Sequence, residues 1–175
     1  MAKAPKAPKQ NGPSDIETVI ARVEALAPAM GDGYWRRHVL THAVGSVARI
    51  AGDARARTLL PWLGGYMPLH AQALANLAAG LACRGARDAS RAALAEATAL
   101  LPDLYGESGT LAWCAAARAQ HALGDADACD ASLAAAEACA RQELSNPTQP
   151  WPHLAVARAD TGRLDALLAQ LRAMP

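Results

Sequence analysis

Phenylalanine is absent from the chain, and its aromatic residues amount to four tryptophans and three tyrosines. Valine and isoleucine are scarce as well. With so few β-branched and aromatic side chains, a large β-sheet is excluded. Lysine is confined to Lys3, Lys6 and Lys9, and every later cation is arginine. The 17 cationic and 16 acidic side chains leave a net charge of +1, so charge offers no case for a nucleic-acid binder or for attraction to an acidic membrane. The four cysteines, Cys83, Cys114, Cys129 and Cys139, show no Cys-x-x-Cys spacing and no matching histidine cluster, which removes the usual zinc and redox motifs. Reduced, buried thiols and the lack of an apolar leader lead us to expect a cytoplasmic protein. No glycine-rich loop follows a strand, since Gly31-Asp32-Gly33 and Gly64-Gly65 are isolated turn signals. Nucleotide binding is unsupported, and no cofactor is expected.

What is present is alanine and leucine. Alanine makes up about half of the apolar residues, so the core must consist of helices held close through small side chains, and an all-helical fold is expected. Residues 1–13 repeat Lys-Ala-Pro and form a basic tail; its prolines deny it a stable helix, and it reads as a disordered tether for an acidic partner or as a solubilising extension. From Thr58 to Cys83 there is no charge at all, but Pro61, Gly64, Gly65, Pro68, His70, Gln72 and Asn76 interrupt the run too often for a membrane span. A buried turn between two helices accounts for it.

A single folded unit is expected over residues 14–175. Its first helix, over 14–30, opens on a capping box in which Ser14 precedes Glu17, with Gly31 and Gly33 as stop signals. Self-similarity follows. Gly52, Gly85, Gly124 and Gly162 each close an apolar helical stretch and stand 33, 39 and 38 residues apart. After the last three come Asp88, Asp127 and Asp165, placed to cap a second helix, then Leu94, Leu133 and Leu171; before them align Leu74, Trp113 and Trp151, with Ala78, Ala117 and Ala155. These are helical hairpins, at about 34–66, 67–102, 108–142 and 148–175. An alanine column lets each pair of backbones approach while a Leu/Trp column fills the space above.

The pattern resembles the tetratricopeptide repeat family over roughly residues 36–175. The most specific unit has Leu74, Leu77, Ala78, Leu81, Gly85, Leu94, Ala97 and closing Pro102; Trp113 and Trp151 stand where the family commonly has tryptophan. Spacings longer than the family's place extended loops at Asp103–Gly109 and Glu143–Gln149, and Pro61 breaks the second helix of the first unit. The resemblance implies an α-solenoid, a superhelix of antiparallel hairpins whose first helices line a concave groove for a protein or peptide. The implied groove residues are His42, Ser46, Arg49, Gln72, Asn76, Arg118, His121, His153 and Asp160. Of the set with which some members hold a C-terminal carboxylate, only Asn76 matches, so that mode is disfavoured.

Chemistry finds little footing. His38 and His42 are four apart but lack a third metal ligand, and Cys114 and His121, two helical turns apart, stand too far from each other to pair. Tyr34-Trp35-Arg36-Arg37 opens a helix with an aromatic and basic cluster that suits packing under the preceding helix or a protein contact. The expectation is therefore a protein-interaction module rather than an enzyme: an adaptor or scaffold subunit of a larger bacterial assembly. The alternative is a structural subunit that self-associates through Leu164, Leu167, Leu168 and Leu171 of an uncapped last hairpin.

Overall fold

Glycine and alanine set the distances between the helices. The computed structural model describes residues 13–29, 33–143, 146, 148–163, 165, 168, 169 and 172. Among the described residues are eight α-helices and no strand: α1 (Pro13–Ala29), α2 (Tyr34–Ala51), α3 (Asp53–Arg57), α4 (Met67–Arg84), α5 (Arg87–Thr98), α6 (Gly106–Leu123), α7 (Ala126–Arg141) and α8 (Pro150–Asp160). Single 3-10 turns occupy Leu60–Leu63 and Leu101–Asp103, both containing proline near their start. The fold is all-helical, as its composition requires. The Lys-Ala-Pro stretch, the Ser14 side chain of the expected capping box, and Leu164, Leu167 and Leu171 lie outside the described residues.

The repeated glycines have one conformational cause. Gly85 and Gly124 take φ of 87° and 81°, a left-handed region that costs other residues energy. The chain can then turn back so that the amide of Ala86 donates to the Leu81 carbonyl at 2.9 Å, and that of Asp125 to Gln120 at 2.9 Å. Gly162 does the same, with the Arg163 amide on Arg158 at 2.7 Å. Two of the aspartates three residues beyond are not the caps they were expected to be. Asp88 and Asp127 lie inside the first turns of α5 and α7, where a negative charge complements the helix dipole. The cap of α7 is Asp125, whose carboxylate accepts the Ala128 amide at 3.1 Å.

Of the expected alanine column Ala78 and Ala117 are buried and Ala155 only half-buried, and small side chains meet between α4 and α5. Ala78, Ala93 and Ala97 are fully buried, and the Ser90 hydroxyl reaches the Ala78 carbonyl at 2.7 Å. Between hairpins the contact is made by glycine. A Cβ on Gly80 would overlap the Gly45 carbonyl oxygen, and one on Gly45 would sit 2.8 Å from the carbonyl oxygen of Asn76. Backbone therefore meets backbone where α2 crosses α4. First helices contact one another in chain order, α2 with α4, α4 with α6 and α6 with α8, while α3, α5 and α7 pack on α2, α4 and α6. Two apolar clusters result, one running from Ile20 to Ala119 and a smaller one around Cys114, Leu133 and Leu154; Trp113 packs against both.

Arginine ties successive pairs together. Arg57 bonds both oxygens of Glu96, Arg84 donates to the Ile50 carbonyl, Arg87 to that of Leu123, and Arg163 pairs with Asp130 at 2.7 Å. The planar guanidinium fork makes several directed bonds that an ammonium group would not reproduce. Hydrogen bonding to Arg57 holds the Glu96 carboxyl below its ordinary range. One column lacks its tie. Four residues before the turn glycines stand Leu81, buried in the core; Gln120, 9% exposed with its Oε1 unpartnered; and Arg158, which bonds Glu137 at 2.5 Å.

Two substitutions probe this packing. Gly80→Ala forces α2 and α4 apart and is expected to lower stability by about 1–3 kcal/mol, the usual cost of overpacking, read as a lower urea midpoint at unchanged m-value. Gln120→Leu places the Leu81 side chain in the equivalent position and removes a buried unpaired oxygen. It is expected to raise stability by about 1 kcal/mol, and a lower midpoint would show that the carboxamide is satisfied in solution.

Candidate functional site: a tyrosine and carboxylate groove

The polar residues expected on a concave face are dispersed. His42, Ser46 and Arg49 form an exposed line along α2. Gln72 is 4% exposed, and the half-buried Asn76 donates through Nδ2 to the Thr41 carbonyl at 3.0 Å, stitching α4 to α2. Arg118 and Asp160 satisfy each other in an ion pair of 2.7 Å between α6 and α8. His121 is exposed beside Arg163 at 3.4 Å, and His153 stands 3.8 Å from Glu107. Several of these groups thus hold helices to one another, and they do not converge on one site.

Convergence occurs instead at the N-terminal ends of the first helices. A hollow of about 150 Å³ is lined by His38, Leu69, Gln72, Leu111 and four residues, Tyr66, Pro68, Glu107 and Ser108, that it shares with a larger groove of about 410 Å³. The larger groove adds Met67, Asp103, Leu104, Tyr105 and Glu143. Its rim is apolar and open to solvent: Tyr105 is 74% exposed, Tyr66 48% and Met67 39%. Large aromatic side chains left in water next to a concavity mark contact surfaces more often than chance. The lining contains three carboxylates, Asp103, Glu107 and Glu143, and no arginine or lysine.

Local sequence explains this arrangement. Pro102 shapes the 3-10 turn that ends in Asp103, and Gly106 enters α6 with φ of 60°. A Cβ on Gly106 would lie 2.6 Å from the Glu143 carboxylate, so glycine leaves room for that side chain. Glu143 then accepts the Glu107 amide at 3.0 Å, and Glu107 accepts from the Gln149 side-chain amide at 2.7 Å. The stretches expected as lengthened loops, Asp103–Gly109 and Glu143–Gln149, are therefore joined, and α6 begins inside the first of them. Tyr66 is the residue before α4 and Tyr105 the residue before α6. Tyr34, the remaining tyrosine, is the first residue of α2, its side chain outside the described residues. Every tyrosine thus opens a first helix. That column is a sequence signal for the groove, separate from the glycine and tryptophan columns that mark the repeat. The Arg37 guanidinium lies 6.0 Å from the Tyr66 ring centroid, so one aromatic surface already accommodates a cation. Burial, with His42 as the next cause, lowers the His38 pKa, which favours a neutral ring beside the groove near pH 7.

Comparison with family models, with curated proteins and with solved structures returns no match. Among the described residues no cluster of histidine, cysteine, aspartate and glutamate could hold a metal ion, and no helix is long and apolar enough to cross a membrane. Cys114 is buried, and that burial pushes its thiol up to about 12. Such a thiol stays protonated and a poor nucleophile at neutral pH. Cys83 alone of the four is exposed. A thiol-reactive chromophore at pH 8 is therefore expected to modify Cys83 rapidly and Cys114 only as fast as the fold opens. Equal rates at both positions would contradict the packing around α6.

Proposed function

We propose that this chain is a protein-interaction module of tetratricopeptide-like build, an adaptor or scaffold subunit that holds a segment of a partner polypeptide. The observation that carries the reading is the exposed Tyr66, Met67 and Tyr105 rim over a groove lined by three carboxylates. The order of helix contacts supports the architecture, because α2, α4, α6 and α8 lean on one another in turn and the first three of them carry a second helix, in the manner of an α-solenoid. In this reading the binding face runs along the first helices from the α2 line of His42, Ser46 and Arg49 towards the groove. Tyrosine supplies large contact area with few rotatable bonds, and the carboxylates set register and charge preference. Binding then needs no rearrangement of the helices, which keeps its entropic cost low.

Two residues of the expected groove set, Asn76 and Arg118, are engaged in holding helices together. Asn76→Ala would remove the bond to Thr41, and Arg118→Glu would set two carboxylates against each other at Asp160, so both disturb helix packing before they disturb a partner. Tyr105→Ala with Asp103→Lys changes exposed groups only. In co-purification from the native host, this double variant is expected to lose its partner at least tenfold while retaining the helical circular-dichroism signal and the thermal midpoint. Undiminished capture by a folded double variant would remove the groove from the function.

A further inference from the structure

The chemistry of the groove narrows what it holds. Its lining pairs aromatic and apolar surface, from Tyr66, Tyr105 and Met67, with carboxylates and no cation from lysine or arginine. Aromatic faces next to carboxylates favour cations, and tyrosine-lined grooves favour proline-rich chains, whose extended form is already ordered before binding. The matched occupant is thus an extended segment with both proline and lysine. This chain's own sequence contains one: Lys3-Ala4-Pro5-Lys6-Ala7-Pro8-Lys9. In a segment with three residues per turn, lysines recurring every third residue project from one edge, about 9 Å apart, with the prolines on another. All the lysines of the protein are in this stretch, and it brings three positive charges to three carboxylates.

We infer that the groove receives the Lys3–Lys9 stretch of a second copy of this chain. The inference rests on the reading of the groove as a polypeptide site. Reach argues for another copy. Lys9 is four residues before Pro13, a span of at most about 14 Å. Helix α1 leans on α2, whereas Tyr105 opens α6, which packs beyond α4. With about 9 Å between the axes of packed helices, the lysine nearest α1 falls short of its own groove. Copies joined in this way associate head to tail, through a contact strengthened at low salt.

The test uses the full chain. In ¹⁵N-resolved NMR, hundredfold dilution is expected to shift the amide signals of Tyr66, Tyr105, Glu107 and Ser108. A synthetic peptide of residues 2–11 should shift the same signals saturably. Full chain with Lys3→Glu, Lys6→Glu and Lys9→Glu should show no dilution shifts, and mixing it with an Asp103→Lys, Glu107→Lys chain should restore association in sedimentation. Groove signals that respond to the lysine changes but not to dilution would place the stretch in its own groove and overturn the inference. A peptide that moves none of these signals would overturn it as well. Either result leaves the broader reading standing if Tyr105→Ala with Asp103→Lys still loses its partner from the host; a peptide that binds while host capture is unchanged would sink the broader reading alone.

Discussion

The rest of the structure depends on the backbone contact between α2 and α4 at Gly45 and Gly80. Helix axes can approach this closely only where neither partner has a side chain, and every neighbouring position inherits the spacing. Ala48 fits beside Gly80, Asn76 comes within reach of the Thr41 carbonyl, and Arg84 reaches the carbonyl of Ile50. An alanine-rich protein has little bulk with which to fill wider gaps. Its apolar burial per residue is small, so close approach and many dispersion contacts replace the large aromatic anchors of other cores.

That constraint also explains the allocation of polar groups. With α4 buried on most of its circumference, Asn76 serves the packing through its bond to Thr41, and the almost fully buried Gln72 only lines the small hollow beside the groove. Arginine takes over the outer connections, where a rigid fork bridges one helix pair to the next through Glu96, Asp130, Glu137 and Asp160. Polar residues on first helices therefore divide between stitching and solvent. At the edge, the turns before α4 and α6 leave the Tyr66 and Tyr105 side chains uncovered.

Much of the fold was legible in the chain. Scarce strand formers, recurring glycine and the Ala78, Ala117 and Trp113 positions correspond to helices, left-handed turns and packed seams between helices. Pro61 foretold the short α3 and the 3-10 turn after it. The capping roles were misplaced by two residues in α7, because Asp125 and Asp127 have equal intrinsic preference and only the geometry of the turn selects between them. The groove was legible only in part. All three tyrosines recur at the starts of first helices, which is a pattern in the sequence, but Glu143 joins them from a stretch far along the chain.

Sequence by itself determined the secondary structure and its punctuation, because helix propensity, proline and positive-φ glycine act over a few residues. It also determined that lysine and proline are concentrated in one short stretch, apart from the arginine-rich body. The tertiary structure decided which side chains are spent on holding helices together and which remain exposed to solvent. That division follows from the distance between helix axes, a property of pairs of glycines and alanines brought together across tens of residues, and no local pattern encodes it.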